Sequence, residues 1–367
     1  MPSKNPWSFA LGRVAGIQLQ VHVTFAVLLA WIAIRTIQAG GGWSAAVSAV
    51  LLMVAVFFTV FLHELGHALV ARRLGIRTLH IELTPMGGMA HLERVPEAPR
   101  HELFISLAGP VVSLAIALVL FVVLKVGDHL FDFEEIFDPA RHPLAAVMWL
   151  NLVLGLYNLL PIFPMDGGRV LRAALAFKLP YPEATRVAAR VAQVGSIALA
   201  IVPGKFNLVF VLTAVWLWMS ARHELRDVRE RHTLRPFSVR DVMVDEPITL
   251  STGDTLKHAS SVFVSTFQSE FPVMQWDSVA GVLGFDDLLK GLEKHGEGAT
   301  VREAMRRDHE GIEVDSKIEE ALSKLNENSE ESDSVLMVLD GEKLVGVLPM
   351  SNLRELLKVQ KALNRAA

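Results

Sequence analysis

The sequence predicts a membrane α-helical bundle of about six transmembrane helices with a small interfacial β-sheet, followed by a soluble C-terminal α/β region built from a repeat. Three observations carry this. Of 367 residues, 51% are hydrophobic and only 20% are charged, against about 25% charged in ordinary soluble domains. The long apolar runs all lie before about residue 222, and the remainder is ordinary amphipathic sequence. Within that remainder, Val239-Arg240-Asp241-Val242-Met243 returns as Val301-Arg302-Glu303-Ala304-Met305, and Gly281-Val282-Leu283 returns as Gly346-Val347-Leu348. A mean hydropathy of +0.38 excludes a disordered chain and an ordinary cytosolic enzyme. The net charge of -4, with no basic field, predicts no nucleic-acid partner. With 0 cysteines, disulfides, thiolate metal sites and a cysteine nucleophile are excluded.

A helix needs about 20 mostly apolar residues to cross the hydrocarbon core. The candidates are Val21–Ile37, Trp43–Val70, Glu102–Val126, Leu144–Ile162, Ala184–Val202 and Phe206–Ser220. No cleavable signal peptide is expected, because no small-residue cleavage site follows a short apolar core. Positive charges alternate from loop to loop: Arg72, Arg73, Arg77, Arg94 and Arg100 follow the second span, Arg169, Arg172 and Lys178 the fourth, and Arg222, Arg226, Arg229, Arg231 and Arg235 the sixth. The loop after the third span is acidic, with Asp128, Asp132, Glu134, Glu135 and Asp138. The positive-inside rule therefore expects a multi-pass protein of the cell membrane with both termini in the cytoplasm.

Two segments alternate with period two instead. Gln18, Gln20, His22 and Thr24 interleave with Leu19, Val21, Val23 and Phe25. Thr78, His80, Glu82 and Thr84 interleave with Leu79, Ile81 and Leu83, and a turn through Gly87 and Gly88 leads to another apolar stretch ending at Leu92. This predicts one strand and a hairpin. Open strand edges are not tolerated in hydrocarbon, so the sheet is placed at the cytoplasmic interface, packed on helices.

His63-Glu64-Leu65-Gly66-His67 is an H-E-x-x-H motif. Residues four apart share a helix face, so both imidazoles can meet one zinc ion, and Glu64 stands beside them to take a proton from the attacking water. The run Leu51–Leu62 before it is almost wholly apolar, where ionisable residues are functional candidates by default. The bland alternative is a pair of histidines closing the cytoplasmic end of a helix. A third ligand is needed. Asp166 supplies one at the end of an apolar span broken by Pro161 and Pro164, where the chain unwinds and a carboxylate can turn inward. Gly167 and Gly168 are read as allowing a tight turn into the next segment. The alternative for Asp166 is a plain turn residue or helix N-cap.

At this point the chain resembles the site-2 protease family of intramembrane zinc metalloproteases. The resemblance rests on H-E-L-G-H at 63–67 and N-x-x-P-x-x-P-x-D-G-G at 158–168, with Ala108-Gly109-Pro110 and the Gly87-Gly88 hairpin also fitting. It covers most of residues 10–220. It implies zinc bound by His63, His67 and Asp166, with Glu64 as catalytic base, and peptide-bond hydrolysis in the bilayer. Asn158 matches a motif asparagine that steadies substrate or oxyanion. His22 sits where relatives carry a histidine, and an interfacial polar residue reads equally well. The edge around Leu83–Leu92, with Gly87 and Gly88, is expected to pair with an unwound substrate strand. The implied substrates are single-span membrane proteins of the anti-sigma factor or membrane-tethered transcription factor type.

The tail resembles a tandem pair of CBS domains, with helices expected at Asp254–Phe267 and Ser316–Asn326 and strands at Phe271–Gln275 and Val335–Leu339. The division read from sequence is 1–225 for the membrane protease, 226–235 for a linker, and 236–297 and 298–367 for the two CBS domains. That family often binds adenine nucleotides. A Thr or Ser follows the repeat glycine there and an Asp grips ribose. Here the places read Gly284 and Asp287, then Pro349 and Asn352, so only Asp287 fits. A packing or homodimerisation module without nucleotide stays open. The competing class is a CBS-regulated membrane metal transporter. Two His, one Asp and an adjacent Glu favour a held catalytic ion over a transported one.

Overall fold

The computed structural model describes residues 7–366 apart from 86, 94–95, 127–141, 202–206, 267, 308–310, 328–334 and 342. The acidic segment 128–138, Arg94 and the start of the sixth predicted span at Phe206 lie outside the described residues. The chain divides into two compact units, Met1–Val228 and Arg229–Ala367.

In the first unit, strands β1 (Ser8–Val14) and β2 (Ile17–His22) precede helices α1 (Val23–Gln38) and α2 (Gly42–Arg73). The hairpin β3 (Thr78–Thr84) and β4 (Gly87–Leu92) follows, then α3 (Pro99–Val126), α4 (Pro143–Asn158), α5 (Asp166–Ala176), α6 (Tyr181–Ile201) and α7 (Leu208–Leu234). Helices α2, α3, α6 and α7 are long and apolar enough to cross a membrane, and α1 and α4 are shorter apolar helices. At 1.5 Å per residue, each short helix reaches only about 24 Å of the roughly 30 Å hydrocarbon core. Their ends have chemical causes. His22 caps α1, its Nδ1 accepting from the Thr24 amide at 3.3 Å. Pro161 disfavours helical backbone at Leu160, so α4 stops at Asn158.

The sheet has the order β1-β2-β3-β4. Strand β2 runs parallel to β3, with Gln20 opposite Glu82, and β3 is antiparallel to β4, with His80 opposite His91. Ile17, Leu19, Val21, Ile81, Leu83 and Ala90 pack on Phe61, Leu65 and Ala68 of α2. The alternation of residues 78–84 is thus the physical reason the sheet lies on the H-E-x-x-H helix. β1 is an addition to the predicted strand and hairpin. It is an edge strand whose Phe9 and Leu11 are exposed, as is Trp7 just before it.

Two features differ from the sequence reading. Gly167 and Gly168 form no tight turn. They lie in the first turn of α5, and a Cβ on Gly167 would meet the Leu160 carbonyl oxygen at 2.2 Å. They are small so that α5 can begin against the unwound chain. Arg172, counted as a loop charge, is fully buried at 1% exposure. Its Nε donates to Glu102 Oε1 at 2.7 Å and its Nη1 to Glu224 Oε1 at 2.5 Å. Its guanidinium also lies over the rings of Phe163 and Tyr181. This cluster ties α5 to α3 and α7. Removing one partner of a buried pair leaves an uncompensated charge, at about 3–5 kcal/mol. Arg172→Met is therefore expected to lower the thermal midpoint of the solubilised protein sharply. Arg172→Met with Glu102→Leu is expected to recover most of the loss, which a melting curve for each variant checks.

In the second unit, a 3₁₀ turn at Val239–Asp241 leads to β5 (Val244–Asp245), β6 (Leu250–Ser251), α8 (Leu256–Ser265), β7 (Glu270–Gln275), β8 (Ser278–Gly284) and α9 (Phe285–His295). The second copy holds α10 (Val301–Ala304), β9 (Gly311–Glu313), α11 (Ile318–Glu327), β10 (Val335–Asp340), β11 (Lys343–Pro349) and α12 (Met350–Ala366). The sheets are ordered β6-β7-β8 and β5-β11-β10-β9. The copies exchange their opening turns. Val239, Val242 and Met243 pack with Leu336, Val338 and Leu348 of the second copy, while Val301, Ala304 and Met305 pack with Phe271, Val273 and Leu283 of the first. The repeated glycines mark the crossings. A Cβ on Gly281 would lie 2.3 Å from the Arg306 carbonyl oxygen, and one on Gly346 would lie 2.9 Å from that of Val244. Residues 226–234 continue α7 as helix, and Leu234 is buried in the second-copy core, so the segment read as a linker is largely structured.

Candidate metal centre

Helix α2 delivers His63 and His67 on one face, both buried. The unwound stretch after α4 delivers Asp166 as the first residue of α5. His63 Nε2 and His67 Nε2 are each 3.2 Å from Asp166 Oδ2 and 3.2 Å from each other. Tetrahedral zinc with bonds of about 2.0–2.1 Å spaces its ligands roughly 3.3–3.4 Å apart. The observed triangle is within about 0.2 Å of that edge.

The partner of its other ring nitrogen fixes the tautomer of His67. His67 Nδ1 lies 2.6 Å from the Ile105 carbonyl oxygen, which can only accept. His67 therefore carries its proton on Nδ1, and Nε2 presents a lone pair. His63 Nδ1 lies 2.9 Å from Ser113 Oγ, a hydroxyl that can donate or accept; where it accepts, His63 Nε2 also presents a lone pair. Two imidazole lone pairs and a carboxylate oxygen then converge in a buried space, an arrangement that repels itself unless a cation stands between them. The donor set fits zinc.

Helix α3 closes over this triangle through glycine. A Cβ on Gly109 would lie 2.2 Å from His67 Nε2 and 2.5 Å from His63 Nε2. Gly66, inside H-E-L-G-H, permits the same approach from α2, since its Cβ would meet Val112 at 2.9 Å and the Ala108 oxygen at 3.1 Å. Glu64 is half-buried next to the triangle, and its Oε2 accepts from the Ala90 amide of β4 at 3.2 Å. Gly88 lies against Glu64, where a Cβ would stand 2.5 Å from its Cγ. Gly87 takes φ +130, a backbone region glycine favours.

Asn158 ends α4, where its Nδ2 donates to the Leu154 oxygen at 3.1 Å. Asp287 is far along the chain in the second unit, where its Oδ2 accepts from the Gly284 amide at 3.2 Å and from Arg306 Nε at 2.8 Å. The sequence reading missed Ser113, Ile105 and Asn151. Asn151 is 1% exposed and donates to Thr59 Oγ1 at 3.0 Å, linking α4 to α2 one turn before His63. A lone asparagine in an apolar run was the available signal.

An H-E-x-x-H helix completed by a buried aspartate, on membrane-length helices, defines a membrane metallohydrolase. The model for peptidase family M50 matches residues 51–138 and 129–202, and that for the CBS domain matches 239–294 and 301–359. A zinc metalloprotease of Methanocaldococcus jannaschii is 29% identical over 352 residues, covering 95% of each chain. The stage IV sporulation protein FB of Bacillus subtilis is 26% identical over 219 residues, 56% of this chain and 70% of that one. The solved site-2 protease of Methanocaldococcus jannaschii is 32% identical and covers 60% of this chain and 95% of that one, with a TM-score of 0.43. The chain belongs to peptidase family M50, the site-2 proteases, and is a multi-pass membrane zinc metalloprotease carrying a C-terminal CBS pair.

Proposed function

We propose that the protein cuts peptide bonds within or near the transmembrane segments of single-span, membrane-anchored regulators, of the anti-sigma factor or tethered transcription factor type. The observation that carries this reading is the convergence of His63 Nε2, His67 Nε2 and Asp166 Oδ2 beside Glu64 on a membrane helix. Those three residues hold the zinc. When bound, zinc acidifies the attacking water and polarises the scissile carbonyl. Glu64 accepts the proton of the water and passes it to the leaving amine. The Ala90 amide steadies one Glu64 oxygen and leaves the other for the proton. Asn158 steadies substrate at the unwound end of α4.

A substrate helix has its amides already bonded and must unwind before it is cut. Strand β4 is the last in its sheet, and its free edge runs past Glu64, so an extended substrate paired along Gly87, Gly88 and the residues after them lies beside the base. Proline at Leu92 is expected to abolish cleavage while leaving zinc content unchanged. Both termini face the cytoplasm, on the side of Arg72, Arg73, Arg169 and Arg222. The CBS pair modulates the protease by binding an adenine nucleotide near Asp287, which must then leave Arg306, or by forming a homodimer.

The test is cleavage of a tagged single-span substrate by purified full-length protein in lipid vesicles, with fragments located by mass spectrometry. A chelator-sensitive cut inside the span is expected. A cut that survives chelation, or falls only outside the bilayer, overturns the reading.

A further inference from the structure

The sheet carries a second group of metal-ligating side chains that the protease reaction does not use. The period-two alternation puts His80 and Glu82 on the same face of β3, and the hairpin register sets His91 of β4 directly opposite His80. This is the face opposite the one that Ile81, Leu83 and Ala90 press onto α2. One ligand atom from each of His80, Glu82 and His91 lies within 4.8 Å of the other two. The two imidazoles are stacked, with ring centroids 4.2 Å apart and planes inclined by 17°, so one ring must turn for both in-plane lone pairs to reach a single ion. His80 Nδ1 and His91 Nδ1 are buried without a hydrogen-bond partner among the described residues.

The geometry points to a second metal site, formed by His80, Glu82 and His91, for a first-row divalent transition ion such as zinc. Two imidazoles and one carboxylate are the donor set that such ions take, whereas magnesium and calcium want oxygen alone. Three protein ligands leave one position for water. Glu82 is oriented in turn by the Ser8 hydroxyl of β1, the outer support that metal-binding carboxylates commonly have. The ion pins β3 to β4 across the hairpin. His91 follows Ala90, whose amide holds Glu64, so the site braces the strand that steadies the base from its far face.

The experiment is metal counting on the full-length protein. The protein is stripped with chelator, reloaded with zinc, freed of excess, and measured by plasma mass spectrometry. Two ions per chain are expected for the unaltered protein, one for His80→Ala/His91→Ala, one for His63→Ala/His67→Ala, and none for the fourfold variant. The two double variants separate this site from the catalytic one, so failure of either leaves the other readable. Glu82→Gln, which still accepts from Ser8, guards against misfolding of the alanine variant and is expected to bind its second ion at least about tenfold more weakly. The same zinc content in the unaltered protein, His80→Ala/His91→Ala and Glu82→Gln overturns the proposal.

Discussion

Glu64→Gln is expected to reduce cleavage by about 10²–10⁴-fold while the protein keeps its catalytic zinc. The substitution is nearly isosteric, and the glutamine oxygen still accepts from the Ala90 amide, so β4 keeps its anchor on α2. What is lost is basicity. An amide cannot take the proton of the attacking water or return it to the leaving amine. Zinc content is unaffected, because the three converging donors are His63 Nε2, His67 Nε2 and Asp166 Oδ2 and none belongs to Glu64. The loss should fall on kcat, with little change in KM, since Glu64 acts on the reacting atoms. Equal cutting by both proteins would remove Glu64 from the reaction. Loss of zinc in the variant would instead make Glu64 a metal ligand.

The parts of this centre that the sequence exposes are those fixed by local geometry. His63 and His67 need only the helical period to share a face, and two prolines before Asp166 mark where the chain leaves α4. The sheet was legible for the same reason, because the alternation from Thr78 to Thr84 survives whatever packs on it. Tertiary partners were not legible. Arg172 reads as a solvated loop charge because Glu102 and Glu224, which neutralise it, are 70 and 52 residues away. Helix α5 was hidden by its Asp-Gly-Gly start, which has turn chemistry when read alone, although packing against Leu159 and Leu160 overrides it. Strand β1 was hidden because nearly all of it is exposed, so no buried face sustains an alternation along it. In the second unit the repeat was plain, but not that each opening turn joins the other copy's core. Nothing local distinguishes Val239 packing beside Leu348 from Val239 packing beside Leu283.

Gly109→Ala is expected to empty the catalytic centre, with zinc affinity falling by at least about 100-fold and activity falling with it. The new methyl carbon would stand 2.2 Å from His67 Nε2 and 2.5 Å from His63 Nε2, against the two atoms that face the ion. Neither ring can yield easily, because Ser113 and the Ile105 carbonyl hold the opposite nitrogens. Helix α3 cannot easily withdraw either, since those two holds are on α3 itself and move with it. Measured zinc content separates this variant from Gly88→Ala, whose methyl carbon would meet Glu64 Cγ at 2.5 Å and none of the three donors. Gly88→Ala should lose activity with its zinc retained, whereas Gly109→Ala should lose both. Full zinc occupancy in Gly109→Ala would mean that α3 does not close over the ion as this geometry requires.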